Sequence, residues 1–268
     1  MSVGRRAVVT AGAGLALALA GAPPARSQGH PRMRTLFLAG DSTAAQKYAD
    51  AAPETGWGMA LPFFLHRGVR VANHAVNGRS TKSFLDEGRL DAILTAIRPG
   101  DLLLVQFGHN DQKVADPSRY TEPWTTYQDN LRVFVEGARA RGALPVLATS
   151  VERRKFGADG TALRTLGAYP AAMRETARAS DVPLLDVEAL SFALWHRLGP
   201  EATKPYFNWT ATEQDNTHFN PRGAIEVARL VAAELLRTHV LAPRETRRLD
   251  DDIPTDLITW PDAEESRP

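Results

Sequence analysis

Beyond residue 34 the apolar positions follow two alternating rhythms. Short, nearly continuous apolar runs bounded by glycine, proline or polar clusters read as buried strands. Five occur, at 35–39, 69–72, 101–106, 144–149 and 182–187. Between them lie stretches with apolar residues three and four positions apart, the period of an amphipathic helix. These are 59–66, stopped by Gly68; 83–97, stopped by Pro99-Gly100; 127–141, closed by Gly142; and then 169–180, 188–198 and 221–239. The last begins with Asn220 as a plausible N-cap and Pro221 at the first helical position. Strands alternating with helices predict a parallel sheet with right-handed crossovers and helices on both faces. The run 101–106 is almost wholly apolar and predicts the central strand. With no linker and no repeat, residues 31–240 read as one domain. The charged, proline-containing stretch 241–268 reads as a C-terminal extension, with Leu257, Ile258 and Trp260 available to dock on the domain.

The first residues follow neither rhythm. Arg5-Arg6 precede an alanine-rich apolar run over 7–22, and Pro23-Pro24 and small residues follow through Ser27. A charged segment, an apolar segment and a cleavage-like stretch read as a secretory signal over 1–27, and the paired arginines point to twin-arginine export. Loss of that segment would remove three arginines and no acid from a formal net charge of +1, leaving a slightly acidic, periplasmic or extracellular protein. That balance argues against nucleic acid as a partner and against stable membrane association once the signal is cleaved. The chain has no cysteine, which excludes disulfides, thiolate metal sites and a cysteine nucleophile.

Polar clusters sit where the strands must end, which is where sites gather in open α/β sheets. Gly40-Asp41-Ser42-Thr43 follows the first strand, and Asn73-His74-Ala75-Val76-Asn77-Gly78-Arg79-Ser80 the second. Phe107-Gly108-His109-Asn110-Asp111 follows the third, and Asp215-Asn216-Thr217-His218-Phe219-Asn220 lies on a loop directly before the last helix. Each alone is a turn or a cap. Together they form the parts of an acyl-transfer site. Ser42 is the candidate nucleophile, His218 its base, and Asp215 the group that orients the imidazole. The amides of Ser42 and Gly78 and the side chain of Asn110 are candidate oxyanion donors. Arg79 and Lys82 after the second strand, and Arg153, Arg154 and Lys155 after the fourth, are basic residues expected at the same sheet edge. From there Arg79, Arg153 and Arg154 are candidate contacts for an anionic substrate.

Ser42, Gly78, Asn110 and His218, with Asp215 three residues before the histidine, resemble the GDSL/SGNH hydrolases from about residue 36 to residue 236. Within that family, Gly-Asp-Ser-Thr followed by Gly56-Trp57-Gly58, Gly78-Arg79-Ser80, Phe107-Gly108-His109-Asn110-Asp111 and Thr217-His218-Phe219 is similar to the rhamnogalacturonan acetylesterase branch. Thr43 departs from the leucine of the general signature and suits that branch. The resemblance implies a flavodoxin-like three-layer α/β/α sandwich with a five-stranded parallel sheet, and hydrolysis without metal or cofactor. It also implies an acetylated polysaccharide or oligosaccharide as substrate. Two readings stand beside it within the sequence: a general esterase or lipase of the same fold, and a non-catalytic flavodoxin-like module whose strand-end loops cradle a phosphate. A metal site drawn from His109, Asp111, Asp215 and His218 is a further alternative. The oligomeric state has no signature.

Overall fold

The computed structural model describes residues 1–4 and 33–262. The expected signal segment, apart from its first four residues, lies outside them. Five strands, β1 (Arg34–Gly40), β2 (Val69–Asn73), β3 (Leu102–Gln106), β4 (Leu144–Ala148) and β5 (Leu184–Leu185), form one parallel sheet in the order β2-β1-β3-β4-β5. The central strand is β3, as its unbroken apolar run predicts, and every residue of it is buried.

Alternation along the strands divides the core in two. Leu36, Leu38, Leu102, Leu104, Val146 and Ala148 face one side, where they pack with helices α1 (Trp57–Ala60), α6 (Val187–Ala202) and α7 (Pro221–Arg237). Phe37, Ala39, Leu103, Val105 and Leu147 face the other, against α2 (Thr81–Asp86), α3 (Arg89–Ala96), α4 (Thr126–Ala140) and α5 (Tyr169–Ala179). The result is the expected α/β/α sandwich. After β1 the chain moves outward to β2, and after β3 it moves outward the other way to β4. The crevice at the carboxyl ends of β1 and β3 is therefore the switch point of the sheet, where ligands bind in open α/β folds.

Several elements differ from the periodic reading. The stretch expected as a helix over 59–66 is a single α turn continued by a tighter 3-10 turn, Leu61–Phe64, with Pro62 early in that turn. The helix expected over 83–97 is two helices, because Gly88 adopts a left-handed φ of 67° between them. The fifth strand shrinks to two residues as Asp186 turns away to bond Arg174 and Thr149. The polar segment before α7, expected as a loop, is a strand. It forms a separate antiparallel ribbon of β6 (Phe207–Trp209) with β7 (Gln214–Phe219). The C-terminal stretch docks through buried Ile253 and Ile258, and Trp260 Nε1 donates to the Glu54 carbonyl at 2.8 Å, whereas Leu257 stays exposed. No helix among the described residues is long and apolar enough to cross a membrane.

The ribbon meets α7 through a close backbone approach. A methyl group on Gly223 would lie 1.8 Å from the Tyr206 carbonyl oxygen. Gly223→Ala is expected to destabilise the fold by about 1–3 kcal/mol through this overpacking, read as a lower midpoint in thermal or denaturant unfolding.

Candidate active site

The turn after β1 is built around a buried carboxylate. Asp41 is fully buried, and its Oδ1 accepts from the Thr43 amide at 2.9 Å and the Thr43 hydroxyl at 2.7 Å. Its Oδ2 accepts from Gln106 Nε2 at 3.3 Å and lies 3.1 Å from His109 Nδ1. Burial alone would raise the Asp41 carboxyl, but the charge and hydrogen bond of His109 and the bonds from Thr43 outweigh it and hold it below the usual carboxylate range. With Asp41 and Thr43 both turned inward, Ser42 between them is left half-buried at the mouth of the crevice.

The Gly56-Trp57-Gly58 motif seats α1 on this turn. The amides of Trp57 and Gly58 donate to the carbonyls of Thr43 and Ala44, at 2.9 and 3.2 Å. A Cβ on Gly56 would lie 2.0 Å from the Ala45 carbonyl oxygen, and one on Gly58 would lie 2.4 Å from that of Ala44. Only glycine permits the approach. Trp57 Nε1 reaches through to Gln106 Oε1 at 3.0 Å, joining α1 to the network under Ser42.

From the opposite side β7 brings the histidine. Ser42 Oγ lies 2.8 Å from His218 Nε2, and His218 Nδ1 lies 2.6 Å from Asp215 Oδ2. The other Asp215 oxygen accepts the amides of Thr217 and His218, at 2.6 and 3.0 Å. Burial would raise the Asp215 carboxyl, but the bond from the His218 ring, those backbone bonds and the His218 charge bring it down from 3.8 to about 2. Burial pushes His218 down, and the Asp215 bond and charge more than reverse this, so its pKa stands above the ordinary 6.5. An ionised Asp215 fixes the proton on Nδ1 and leaves Nε2 free to accept from the serine hydroxyl.

Two loops supply donors. Gly78, at a left-handed φ of 77°, and Ser42 offer amides that bond no other described residue. Asn110 is 4% exposed, and its Nδ2 donates to the Arg79 carbonyl at 3.0 Å, which orients the amide and leaves its second hydrogen available. Beside it, Asp111 accepts from the amide and hydroxyl of Thr81 and from the Thr121 hydroxyl, tying the loop after β3 to α2. Burial dominates those bonds and raises the Asp111 carboxyl to about 7. His109 and Asp111 are thus committed to separate partners within the fold rather than grouped with Asp215 and His218.

The arginines expected at an anionic substrate all have partners within the fold. Arg79 is paired with Glu87 at 3.0 Å and donates to the Asn77 carbonyl. Arg153 is half-buried and donates to the His109 carbonyl and the Thr165 hydroxyl. Arg154 rivets the ribbon. Its amide and its guanidinium both bond Asn216, at 2.9 Å each, it stacks on Trp209 with 4.4 Å to the ring centroid, and it bonds Thr203 and Pro200. Of the two neighbouring lysines, Lys82 is paired with Asp86 at 2.8 Å.

Lys47 escaped the sequence reading because a lysine among small residues carries no periodic signal. It is 1% exposed, and its Nζ lies 2.5 Å from Glu54 Oε1 and 2.7 Å from Asn77 Oδ1, pinning the loop that carries Gly78. A cavity of about 660 Å³ borders Phe37, Ala72, His74 and Arg98 and contains none of Ser42, Asp215 or His218.

A serine–histidine–carboxylate chain at the switch point of an α/β/α sandwich is an arrangement suited to acyl transfer. Residues 38–224 match the family model of the GDSL-like lipase/acylhydrolases, and the chain belongs to that family of ester hydrolases. It is 46% identical to the rhamnogalacturonan acetylesterase RhgT of Bacillus subtilis, over 74% of this chain and 87% of that protein. It is 44% identical to YesY of the same organism, named a probable rhamnogalacturonan acetylesterase, over 74% and 90% respectively. The crystal structure of Bacillus subtilis YxiM matches with a TM-score of 0.69 and 30% identity, over 77% of this chain and 57% of that one. At 16% identity and a TM-score of 0.56, an acetylxylan esterase of Geobacillus stearothermophilus shares the fold, over 79% of this chain and 96% of that one.

Among the charges acting on His218 are Asp215 and Glu54, which raise its pKa, and Lys47, which lowers it. Lys47→Met is therefore expected to raise the His218 pKa and Glu54→Gln to lower it, read by NMR titration of the ring. Shifts of the same sign in both variants would show that His218 responds to a general loosening of the site.

Proposed function

We propose that the protein is an exported carbohydrate O-acetylesterase that removes acetyl groups from rhamnogalacturonan-type polysaccharide by acyl transfer through Ser42. The observation that carries this reading is the unbroken chain Asp215–His218–Ser42, at 2.6 and 2.8 Å, to which we assign the amides of Ser42 and Gly78 and the Asn110 side chain as oxyanion donors. The names and identities of RhgT and YesY support the substrate class. The signal-like first 27 residues support export.

In this mechanism His218 Nε2 takes the Ser42 proton as Oγ attacks the acetyl carbonyl carbon. The carbonyl electrons move onto oxygen, and the oxyanion is held by the three donors. Collapse breaks the bond to the sugar oxygen, which leaves with the proton carried by His218. Water then attacks the acetyl-serine, again giving its proton to His218, and acetate departs as Ser42 recovers its hydrogen. Asp215 stays ionised and balances the imidazolium formed in each half.

Ser42→Ala is expected to abolish deacetylation while leaving the unfolding midpoint near that of the parent, since the hydroxyl packs against nothing else. Retention of more than a few per cent of turnover on an acetyl ester would refute the nucleophile. Asn110→Ala should lower kcat by on the order of 10²–10³ with little change in KM, as befits a donor to charge that exists only in the transition state. Because His218 must be neutral to act, activity should rise with pH through a limb that lies above 6.5, the direction in which Asp215 moves the imidazole. A limb below 6.5 would contradict that coupling.

A further inference from the structure

On the outer side of the loop carrying Gly78 lies a groove of about 460 Å³, bordered by that glycine, by Arg79, Ser83 and Glu87, and by Asp116 and Arg119 from the loop after β3. Its volume falls in the range of small-ligand sites. Because Gly78 forms part of its wall, whatever occupies the groove rests on the segment that carries this candidate oxyanion donor. Arg119 Nη1 lies 3.5 Å from the Gly78 carbonyl oxygen, so this wall is tied to the backbone of that segment.

The chemistry of the wall is distinctive. Arg79 Nε is 3.0 Å from Glu87 Oε2, and Arg119 Nη2 is 2.5 Å from Asp116 Oδ2. Each guanidinium on the wall is thus already matched with a carboxylate, and Glu87 also pairs with Arg89 outside the groove, so neither wall arginine is left as an unmatched cation. Hydrogen bonds from Ser118 and then Arg119 lower the Asp116 carboxyl, and those from Arg79 and Arg89 outweigh burial at Glu87, so both remain ionised acceptors at neutral pH. None of the six bordering residues named above carries an aromatic ring or a branched aliphatic side chain. Such a surface gives a fatty acyl chain no apolar area to bury. An anionic group would gain an arginine and meet a carboxylate beside it. A neutral polyol suits it, because a hydroxyl can donate to the carboxylate and accept from the guanidinium in charge-assisted bonds.

We propose that this groove is a subsite for a neutral glycosyl residue of the acetylated polysaccharide, holding it against the Gly78 loop while the acetyl group of a neighbouring residue reaches Ser42. The proposal rests on the acetylesterase reading and gives that site its substrate contact. It also replaces the arginine-driven recruitment of an anionic chain as the role of Arg79. Binding energy gained here, away from the reacting bond, serves the deacetylation step only on substrates long enough to fill the groove.

The test compares kcat/KM on acetylated rhamnogalacturonan oligosaccharides with kcat/KM on p-nitrophenyl acetate, which is too small to span both places. Ser118, exposed at the rim, is changed to Trp to fill the groove, and Glu87→Ala separately removes an acceptor. The ratio of the two values is expected to fall roughly tenfold in each variant. In the parent enzyme the ratio should change little with salt, since the subsite is neutral. An unchanged ratio in both variants overturns the subsite, and so does an equal fall on both substrates, which would place the effect in the Gly78 loop itself. A ratio that drops steeply with salt overturns the neutral ligand class. A parent enzyme that hydrolyses p-nitrophenyl acetate but no acetylated oligosaccharide overturns the acetylesterase reading and the subsite together. Altered variants of a parent active on both substrates support both, and unaltered ones defeat the subsite alone.

Discussion

The burial of Asp41 is the constraint from which the site is assembled. A carboxylate removed from water must be matched by donors, and losing one of them is far more costly than losing a surface pair. Its donors come from its own turn, from the end of β3 and from the loop beyond it: Thr43, Gln106 and His109. Satisfying one acid therefore locks together the two strand ends that flank the switch point. The same bonds turn the side chains on either side of Ser42 inward. Ser42 faces the crevice because its neighbours cannot.

A second, separate piece carries His218. The β6–β7 ribbon shares no hydrogen bond with the main sheet, and its place is set by packing. Phe207 and Phe219 are fully buried in the core with Trp195, Gly223 lets α7 touch the Tyr206 backbone, and Arg154 clamps Asn216 and Trp209. The Thr55 amide donates to the Phe219 carbonyl at 2.8 Å, joining the ribbon to the segment that leads into α1. The Ser42–His218 contact therefore closes a ring running through α1, the ribbon, α7 and the core. Displacement of any member is felt as a longer Oγ–Nε2 distance, to which proton transfer is sensitive.

Charge around this ring is arranged in matched pairs rather than as a field of one sign. Lys47 with Glu54, Arg79 with Glu87 and Arg119 with Asp116 each place a cation against an acid near the crevice, and His109 is hydrogen-bonded to Asp41. The pairs hold loops at defined positions and leave the local electrostatics of His218 mainly to Asp215.

The sequence alone was enough to specify the layers and the parts. Continuous apolar runs cannot be solvated on either face, so 35–39 and 101–106 had to be inner parallel strands, and polar clusters at their ends had to face the crevice. Ser42, Gly78, Asn110, Asp215 and His218 were legible because each breaks the apolar rhythm with a residue type that acyl transfer uses. The strand β7 was not legible, because its polar residues have no alternation to reveal a buried face. Lys47, Trp57 and Gln106 stayed hidden as site residues because the fold brings them partners, Asn77, Gln106 and Asp41 respectively, 30 to 65 positions away. The fate of Arg79 and Arg154 was decided in the same way. The sheet edge where a basic residue lies follows from sequence order, but whether its charge is free or already matched depends on which side chain from another element packs against it. Only the closed tertiary structure determines that.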